Sequence, residues 1–265
     1  MRRGANLIKT PEQIAMARAA GALAAEVLQM IAPHVKAGVT TDELDRLCHE
    51  HIVNVQKAIP ANIGYHGYPK TACISVNHVV CHGIPNEKVL KDGDIVNIDV
   101  AVIKDGWFGD TSRMYCVGTP GVLARRLVDT TYEAMLAGIR TVRPGATLGD
   151  VGAAIQQVAE KAGFSIVRDY CGHGIGKVYH DDALQVCHFG RRGEGMRLKE
   201  GMVFTIEPMV NAGKSGTREL ADGWTVVTRD HSLSAQWEHM VAVTHDGFEV
   251  LTAWPEGTGS YPAIA

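Results

Sequence analysis

Four acidic residues lie in apolar, strand-like surroundings, and they are the part of the sequence that points most directly to chemistry. They are Asp99, Asp110, Glu207 and Glu238. Burying an ionised carboxylate is unfavourable unless a cation or strong hydrogen-bond donors compensate it. For any one of the four, a salt bridge or an exposed strand end is explanation enough. Together they predict a pair of divalent cations, roughly 3.5–4 Å apart and bridged by carboxylate oxygens.

Three histidines are candidates to complete such a site. His173, in CGHGIGKVYH, would add an imidazole to the carboxylates, and a nitrogen–oxygen set without thiolate suits Mn, Fe, Co or Zn. His180 and His82 would then be placed to act on a substrate. For each histidine alone, a hydrogen-bonded structural role is the commoner outcome. The glycines around His173 do not favour a phosphate-binding loop, because no strand–GxGxxG–helix context surrounds them.

The cysteines predict reduced thiols in a cytoplasmic protein, because they form no CxxC pair and no regular framework. They are Cys48, Cys73, Cys81, Cys116, Cys171 and Cys187. Cys81 precedes His82, and Cys171 lies near His173, so a thiol nucleophile must be considered. Neighbouring strand residues point to opposite faces, so Cys81 and His82 cannot form a catalytic pair within a strand.

The segment DIVNIDVAVIKDGWFGDTSR, residues 94–113, predicts the hairpin that positions two of the carboxylates. Its first half is apolar and mostly β-branched, which favours a strand. Asp105-Gly106 is a strong signal for a type I′ turn, in which both central residues have positive φ. The returning strand should place Asp110 near-opposite Asp99 or one pair along.

Capping signals predict the helices that flank this hairpin. Thr10, Pro11 and Gln13 form a capping box that opens a helix extending to about residue 32. Thr40 with Glu43 opens a second helix, to about residue 55. The segment ISVNHVVCHGIP then reads as one strand, and a further helix is expected over residues 122–142.

The second part of the chain repeats the first at an offset of 107–108 residues, which indicates an internal duplication. VKAGVT precedes one helix and VRPGAT another, and Asp99 following LKDG matches Glu207 following LKEG. We therefore predict an α/β (α+β) fold with two pseudo-twofold halves, at about 33–120 and 140–245, in a single domain of residues 1–252. The segment 253–265 is rich in Pro, Gly and Ser, so a loose tail is expected.

Composition argues against several classes of partner. The formal net charge of −3 gives no electrostatic reason to expect nucleic acid or an anionic membrane. No window approaches the roughly 18 uncharged apolar residues that a membrane helix needs. The two arginines at the start are not followed by an apolar segment, so a secretory signal is not expected. A cytoplasmic location follows from these features.

The order and surroundings of the candidate ligands closely resemble those of type I methionine aminopeptidases. The ligands are Asp99, Asp110, His173, Glu207 and Glu238, and the motifs that carry the resemblance are NIDV, GDTS, CGHGIG, FTIEPM, QWEH and VCHGIP. The resemblance extends from the first helix to about Leu251. It implies the pita-bread fold, two related α/β halves around a central antiparallel sheet and a dinuclear metal centre. The implied activity is removal of the N-terminal methionine from nascent proteins whose second residue is small.

The resemblance also implies a role for each site residue. Asp99 would chelate one metal, His173 and Glu207 would bind the other, and Asp110 and Glu238 would bridge the two. Glu207 would also pass a proton from the attacking water to the leaving amine. His180 would bind the scissile carbonyl, and His82 would contact its nitrogen side.

A pocket for the methionine side chain is implied as well. Its residues are Tyr65, Tyr68, Cys73, His82, Tyr179, His180 and Trp224. Bacterial members of the family often have Cys where Asn62 stands and Phe where Tyr179 stands, so the shape of this pocket is in question. A monovalent cation held by carbonyls near Asn77, Val79 and Ser234 is implied too.

The expected partner is the N-terminus of a nascent polypeptide, with the ribosome as a candidate place of action, and the expected state is a monomer. Two alternatives remain open. One is a sister enzyme that cleaves before proline, although such chains usually carry an extra N-terminal domain for which this chain has no room. The other is a non-catalytic pita-bread binding module, although such proteins have lost metal ligands that this chain retains.

Overall fold

The computed structural model describes residues 7–254 of the chain. Within this part the helices are α1 (Pro11–Ile31), α2 (Thr41–Glu50), α3 (Val122–Ile139) and α4 (Leu148–Lys161). The strands of the same part are β1 (Ile59–Pro60), β2 (Ala72–Val76), β3 (Val79–Cys81), β4 (Ile95–Lys104), β5 (Trp107–Cys116), β6 (Ser165–Ile166), β7 (Gly172–Gly174), β8 (Asp181–Val186), β9 (Val203–Ile206), β10 (Met209–Asn211), β11 (Thr217–Glu219), β12 (Val226–Thr228), β13 (Ser234–Gln236), β14 (His239–Val243) and β15 (Phe248–Val250).

The strands form two larger sheets and two small ones, and every pairing is antiparallel. In the first half, β4 pairs with β1 and β2 on one edge and with β5 on the other. In the second half the order is β15-β14-β9-β7-β8. A bridge between Ser112 of β5 and Glu238 joins the two larger sheets. The hairpin therefore meets the second half at a predicted metal ligand.

The hairpin of β4 and β5 forms as predicted. Asp105 and Gly106 have φ values of 49° and 76°, as a type I′ turn requires. Asp99 pairs with Ser112 and Asp110 pairs with Ala101, so the two carboxylates are diagonal neighbours two positions apart. They are near-opposite, as expected, but the offset between them is two positions and not one. The two-residue turn fixes the register, and only an even offset keeps both side chains on one face.

Helix packing decides which face of the hairpin carries the carboxylates. Ile98 and Val100 of β4 join a buried core with Leu28 of α1 and Leu44 of α2. Because strand side chains alternate, Asp99 points to the opposite face of the sheet. The second half has its own core, built from α3, α4, β9 and β14.

The predicted helix starts are confirmed. The Thr10 hydroxyl accepts from the Gln13 amide at 3.3 Å, and the Gln13 side chain accepts from the Thr10 amide at 3.0 Å, closing the capping box. Thr40 accepts from the Glu43 amide at 3.1 Å. Helix α2 ends at Glu50 and continues as a π-helical turn to residue 55.

Helix α1 and the turn that follows it, Pro11–His34, are long and apolar enough to cross a membrane by length and composition alone. That stretch contains Glu12, Arg18 and Glu26, so it is not an uncharged window, and the core helix of a soluble protein passes the same test. The helix packs closely against β5, since a Cβ atom on Gly109 would lie 2.2 Å from the Ala20 carbonyl carbon. A core helix of this kind is as apolar as a membrane helix because one face is buried against a sheet.

The segment predicted as one strand after residue 72 is two strands, so that prediction is wrong. Asn77 adopts φ 58° between β2 and β3 and ends the first strand. Its side chain holds this turn, because the Asn77 amide group donates to Asp94 at 2.8 Å and its oxygen accepts from the Ile95 amide at 3.0 Å. As a result β2 pairs with β4, whereas β3 pairs with β12.

The same backbone hydrogen bonds occur near the start of each predicted half. The Gly38 amide donates to the Leu90 carbonyl at 2.9 Å, and the Gly145 amide donates to the Leu198 carbonyl at 2.9 Å. These pairs stand at the offset of 107–108 residues found in the sequence. The limits of the two repeats remain a prediction.

Trp254 corrects the predicted limit of the tail. Its side chain is buried, with ring centroids 5.4 Å from Trp237 and 4.3 Å from His239. An indole in contact with other rings buries a large apolar area, which keeps this residue in the fold. The remainder of the predicted tail, 255–265, lies outside the described residues. All six cysteines lie within residues 7–254 and are free thiols, as expected.

Candidate metal centre and substrate pocket

One cavity of about 320 Å³ is lined by every predicted metal, catalytic and pocket residue. These residues are Asp99, Asp110, His173, Glu207 and Glu238, His82 and His180, and Tyr65, Tyr68, Cys73, Tyr179 and Trp224. Asn62 also lines it. The structure thus brings together groups that are up to 176 residues apart in the chain, Asn62 and Glu238.

The four acidic residues and the histidine lie within or directly beside five different strands. Asp99 lies in β4 and Asp110 in β5, His173 in the middle of β7, Glu207 directly after β9, and Glu238 directly before β14. The last two stand where a strand breaks: Pro208 follows Glu207, and a proline cannot donate to a strand ladder.

The donor atoms converge on a small volume. His173 Nε2 lies 3.4 Å from Asp110 Oδ2 and 3.6 Å from Glu207 Oε1. Donor atoms of Asp110, His173 and Glu238 all lie within 4.8 Å of one another. His173 Nδ1 lies 3.1 Å from the Gly174 carbonyl. A carbonyl only accepts, so Nδ1 carries the proton and Nε2 presents its lone pair to the carboxylates.

Bringing the carboxyls together in a buried site raises the pKa of three of them. Burial, and then repulsion by Asp110 and Glu207, raises the pKa of Asp99 well above its usual range. Burial and the neighbouring carboxylates do the same to the pKa of Glu238. Burial raises the pKa of Glu207 to about 7, although the charge of His173 opposes the rise. Bound cations would remove these penalties, because they compensate all of the negative charges at once.

The residues present fit a divalent metal centre. Asp110 Oδ1 is fully buried and has no hydrogen-bond partner among the described residues. An orphaned buried carboxylate oxygen is unfavourable and calls for a cation. The donors are four carboxylates and one imidazole nitrogen, a set that suits Mn, Fe, Co or Zn. No thiol competes, since burial raises the pKa of Cys73 and Cys81 well above the usual range.

Thr205 supports two of these ligands and was missed by the sequence interpretation. Its hydroxyl donates to Glu207 Oε1 at 2.7 Å and accepts from the His173 amide at 2.9 Å. Thr205 itself is fully buried. A signal was present in the sequence, because Thr205 precedes Glu207 by two residues and therefore shares a strand face with it.

The same spacing recurs at two further carboxylates. Asn97 precedes Asp99, and Gln236 precedes Glu238, each by two residues. The Asn97 amide donates to Ser112 Oγ at 3.1 Å and to the Gln236 carbonyl at 2.8 Å, so it links β4, β5 and β13. Each of these neutral polar residues is buried. A polar residue two positions before an acidic one, within an apolar strand, is thus the local sign of a supporting residue at this site.

His188 is another supporting residue that the sequence did not reveal. The Glu207 amide donates to His188 Nε2 at 3.2 Å. The imidazole is completely buried, and burial lowers its pKa to about 3. It is therefore a neutral acceptor that holds the main chain at Glu207.

The two predicted catalytic histidines are neutral at pH 7. Burial, and then the neighbouring imidazoles of His173, His82 and His66, lowers the pKa of His180 to about 3, and burial lowers the pKa of His82 to about 4. The His180 ring centroid lies 4.0 Å from that of His173, and His180 Nδ1 lies 2.8 Å from the Tyr65 hydroxyl. His82 has φ 56° and lies outside β3, with its ring 6.0 Å from Trp224.

Aromatic rings form the wall beside these histidines. The Tyr68 and Trp224 centroids are 5.0 Å apart in an edge-to-face arrangement, and Tyr65 and Tyr179 are 4.9 Å apart. Cys73, which contributes a thiol to the pocket, pairs directly with Asp99 between β2 and β4. Two further lining residues were not predicted: His66 and Asp182. Both are exposed. His66 follows Tyr65 directly and Asp182 lies two residues after His180, so their closeness in sequence to predicted site residues could have indicated them.

The predicted monovalent-cation residues lie away from this cavity. The Asn77 carbonyl accepts from the Ser234 amide at 2.8 Å, which brings two of the three together. Val79 is in β3, two residues after Asn77. A cation here stays a prediction.

Comparison with known proteins places this architecture in a family. The model of "Metallopeptidase family M24" matches residues 15–245. The methionine aminopeptidase of Escherichia coli (strain K12) is 58% identical over 258 residues, which is 97% of each chain. A crystal structure of methionine aminopeptidase from Rickettsia prowazekii, also 58% identical, has a TM-score of 0.91 and covers 92% of this chain and 98% of that one.

More distant structures share the fold. A methionine aminopeptidase from Thermotoga maritima, 39% identical, has a TM-score of 0.90 over 92% of this chain and 98% of that one. A prolidase from Pyrococcus furiosus, 21% identical, has a TM-score of 0.73, and the match covers 93% of this chain but 65% of the prolidase. The expected pita-bread fold is confirmed by these neighbours.

Proposed function

The chain belongs to metallopeptidase family M24, and we propose that it is an aminopeptidase that removes the N-terminal methionine from nascent proteins whose second residue is small. The observation that carries this proposal is one cavity in which the five predicted metal ligands meet an aromatic pocket and two neutral histidines. The relatives named methionine aminopeptidase support it, because they are 58% identical over nearly the whole chain.

Two divalent cations, drawn from Co, Mn, Fe or Zn, are the proposed cofactors. Asp99 would hold one of them, His173 and Glu207 the other, and Asp110 and Glu238 would contribute to both. Bound in this way, divalent cations lower the pKa of a coordinated water and polarise a substrate carbonyl. The raised pKa values of the carboxyls mean that protons must leave before the cations bind.

Glu207 is the proposed proton carrier. This role rests on the position of Glu207 beside His173, because a bound cation would lower the pKa of about 7 that burial gives this carboxyl in the metal-free protein. Its Oε1 is held by Thr205, and its Oε2 lies 3.4 Å from the Gln236 amide nitrogen, so the carboxylate has a fixed orientation. It would accept a proton from the attacking water and donate it to the leaving amine.

His180 is proposed to bind the scissile carbonyl oxygen. If the Tyr65 hydroxyl donates to Nδ1, the remaining nitrogen, Nε2, carries the proton and donates to the developing negative charge. A neutral imidazole is suited to this task because its pKa is lowered to about 3 and it does not titrate near pH 7. His82, also neutral, would contact the nitrogen side of the bond.

The proposed methionine pocket is the aromatic wall of the same cavity. Rings and the Cys73 thiol suit an unbranched, polarisable thioether, which makes favourable contacts with aromatic edges. The proposed partner is the N-terminus of a nascent chain, with the ribosome as a candidate place of action. The proposed state is a cytoplasmic monomer.

The test is a peptide assay on protein stripped with EDTA and reconstituted separately with Mn²⁺, Co²⁺, Fe²⁺ or Zn²⁺. We expect release of methionine from Met-Ala-Ser, at least one metal that restores it, and no turnover of Ala-Pro. Asp110→Asn, which removes the orphaned carboxylate charge, should lose more than about 100-fold in activity. Preferential cleavage of Ala-Pro would indicate the proline-specific enzyme, and full activity of Asp110→Asn would contradict the assigned ligand set.

A further inference from the structure

A hydrogen bond between Asn62 and Tyr179 closes one side of the pocket. The Tyr179 hydroxyl donates to Asn62 Oδ1 at 2.7 Å, and Asn62 Nδ2 donates to the Thr71 carbonyl at 3.0 Å. The Thr71 carbonyl only accepts, so the amide nitrogen faces it and the amide oxygen faces the phenol. Both side chains are buried and both line the cavity.

This bond joins the two halves of the molecule. Asn62 lies between β1 and β2, and Tyr179 lies between β7 and β8, 117 residues away. A second bond runs beside it, from Tyr65 to His180, at 2.8 Å. The segment that carries Asn62 and Tyr65 is therefore held against the segment that carries Tyr179 and His180.

The Tyr179 ring is held by neighbouring aromatic rings as well as by Asn62. It stacks on Phe108, with centroids 5.2 Å apart and an interplanar angle of 11°, and it contacts Tyr65 at 4.9 Å. Stacking fixes the plane of the ring but permits it to slide, whereas the bond to Asn62 fixes the position of the hydroxyl end. Burial raises the pKa of Tyr179 well above the usual value, so the hydroxyl remains a donor.

We propose that the Asn62–Tyr179 hydrogen bond is a specificity determinant that holds the Tyr179 ring as a rigid wall, so that the pocket accepts an unbranched first side chain and excludes a branched one. The proposal rests on the function proposed above. Methionine and leucine are similar in volume, so a pocket discriminates them by the shape of its walls and not by burial alone. A wall that yields by a fraction of an ångström admits the branched side chain.

The test compares kcat/KM for Met-Ala-Ser and Leu-Ala-Ser in four proteins reconstituted with Mn²⁺: wild type, Tyr179→Phe, Asn62→Ala and the double variant. Breaking the bond from either side should lower the methionine-to-leucine ratio about tenfold, within the range that one methylene contributes in a pocket. The double variant should lose no more than a single one, because both substitutions remove the same bond. The change should appear chiefly as a lower KM for Leu-Ala-Ser, because a wall that yields admits the branched side chain.

Tyr115→Phe is the matched control. The Tyr115 hydroxyl donates to the Leu28 carbonyl at 2.6 Å in a buried position outside the cavity. This variant should lower Tm to a similar extent as Tyr179→Phe but leave the substrate ratio unchanged. Calorimetric binding of L-methionine and L-leucine to the Mn²⁺-loaded proteins gives the same comparison without turnover.

The outcomes separate the two proposals. A wild-type protein that releases methionine, with an unchanged ratio in Tyr179→Phe and Asn62→Ala, would mean that the bond only stabilises the fold. A wild-type protein that releases no methionine with any metal would overturn the proposed function and this inference with it. If Asn62→Ala does not fold, Tyr179→Phe, which removes one oxygen atom, decides the question alone.

Discussion

Replacing Thr205 with valine should weaken metal binding without touching a ligand. Valine has nearly the shape of threonine, so the change removes one hydroxyl from a fully buried site. That hydroxyl donates to Glu207 Oε1 at 2.7 Å and accepts from the His173 amide at 2.9 Å. Two metal ligands therefore lose an orienting contact together.

The magnitude follows from the kind of bond that is lost. A hydrogen bond to a charged group contributes about 1.5–3 kcal/mol. If the whole effect falls on the orientation of Glu207, the dissociation constant for Mn²⁺ should rise about 10–100-fold, the range typical of residues that support ligands. The unpaired His173 amide should also lower the free energy of unfolding of the metal-free protein by about 1–3 kcal/mol.

The assay is isothermal titration of Mn²⁺ into EDTA-treated, dialysed protein. Thr205→Ser is the matched control, since it keeps the hydroxyl and loses only a methyl group, and it should bind Mn²⁺ within about threefold of wild type. Equal affinities of Thr205→Val and wild type would refute the reasoning, because they would show that the hydroxyl does not orient the ligands. Circular dichroism at the titration temperature establishes that both variants are folded.

Two further predictions follow from the site. First, Mn²⁺ affinity should fall at least about tenfold between pH 8 and pH 6. Burial raises the pKa of Glu207 to about 7, so this carboxyl is mostly protonated at pH 6 and must release its proton to bind a cation. Calorimetric titrations that give the same dissociation constant at both pH values would contradict this. Second, His180→Ala should lower kcat on Met-Ala-Ser about 100–1000-fold with little change in Mn²⁺ affinity. Tyr65→Phe, which loses the hydrogen bond to His180 Nδ1, should lower kcat by a smaller factor. A kcat for His180→Ala within threefold of wild type would exclude a role of His180 at the scissile carbonyl.

The sequence by itself determined the elements that local chemistry specifies. A type I′ turn needs positive φ at two consecutive positions, so Asp105-Gly106 predicted the hairpin. The capping box at Thr10 predicted the start of the first helix in the same way. Four carboxylates in apolar strands predicted a shared cation site, because each buried charge needs compensation and one pair of cations compensates all of them. The motifs around them added the family and the fold.

Tertiary structure decided how these elements meet. Only the strand register shows that Asp99 and Asp110 are diagonal neighbours. Asn77 divides a segment whose composition reads as one strand, because its side chain bonds to a loop that the pattern does not describe. Trp254 lies in a segment with the composition of a tail, yet it is buried against rings from elsewhere in the chain.

The pairing of Asn62 with Tyr179 shows most clearly why sequence reasoning stopped where it did. Both residues stood out in the sequence as separate departures, but their hydrogen bond spans 117 residues. Turns, caps and strand alternation arise from interactions between near neighbours, so one sequence records them. A contact across two halves of a fold depends on the path of all the intervening chain, and only the folded molecule shows it.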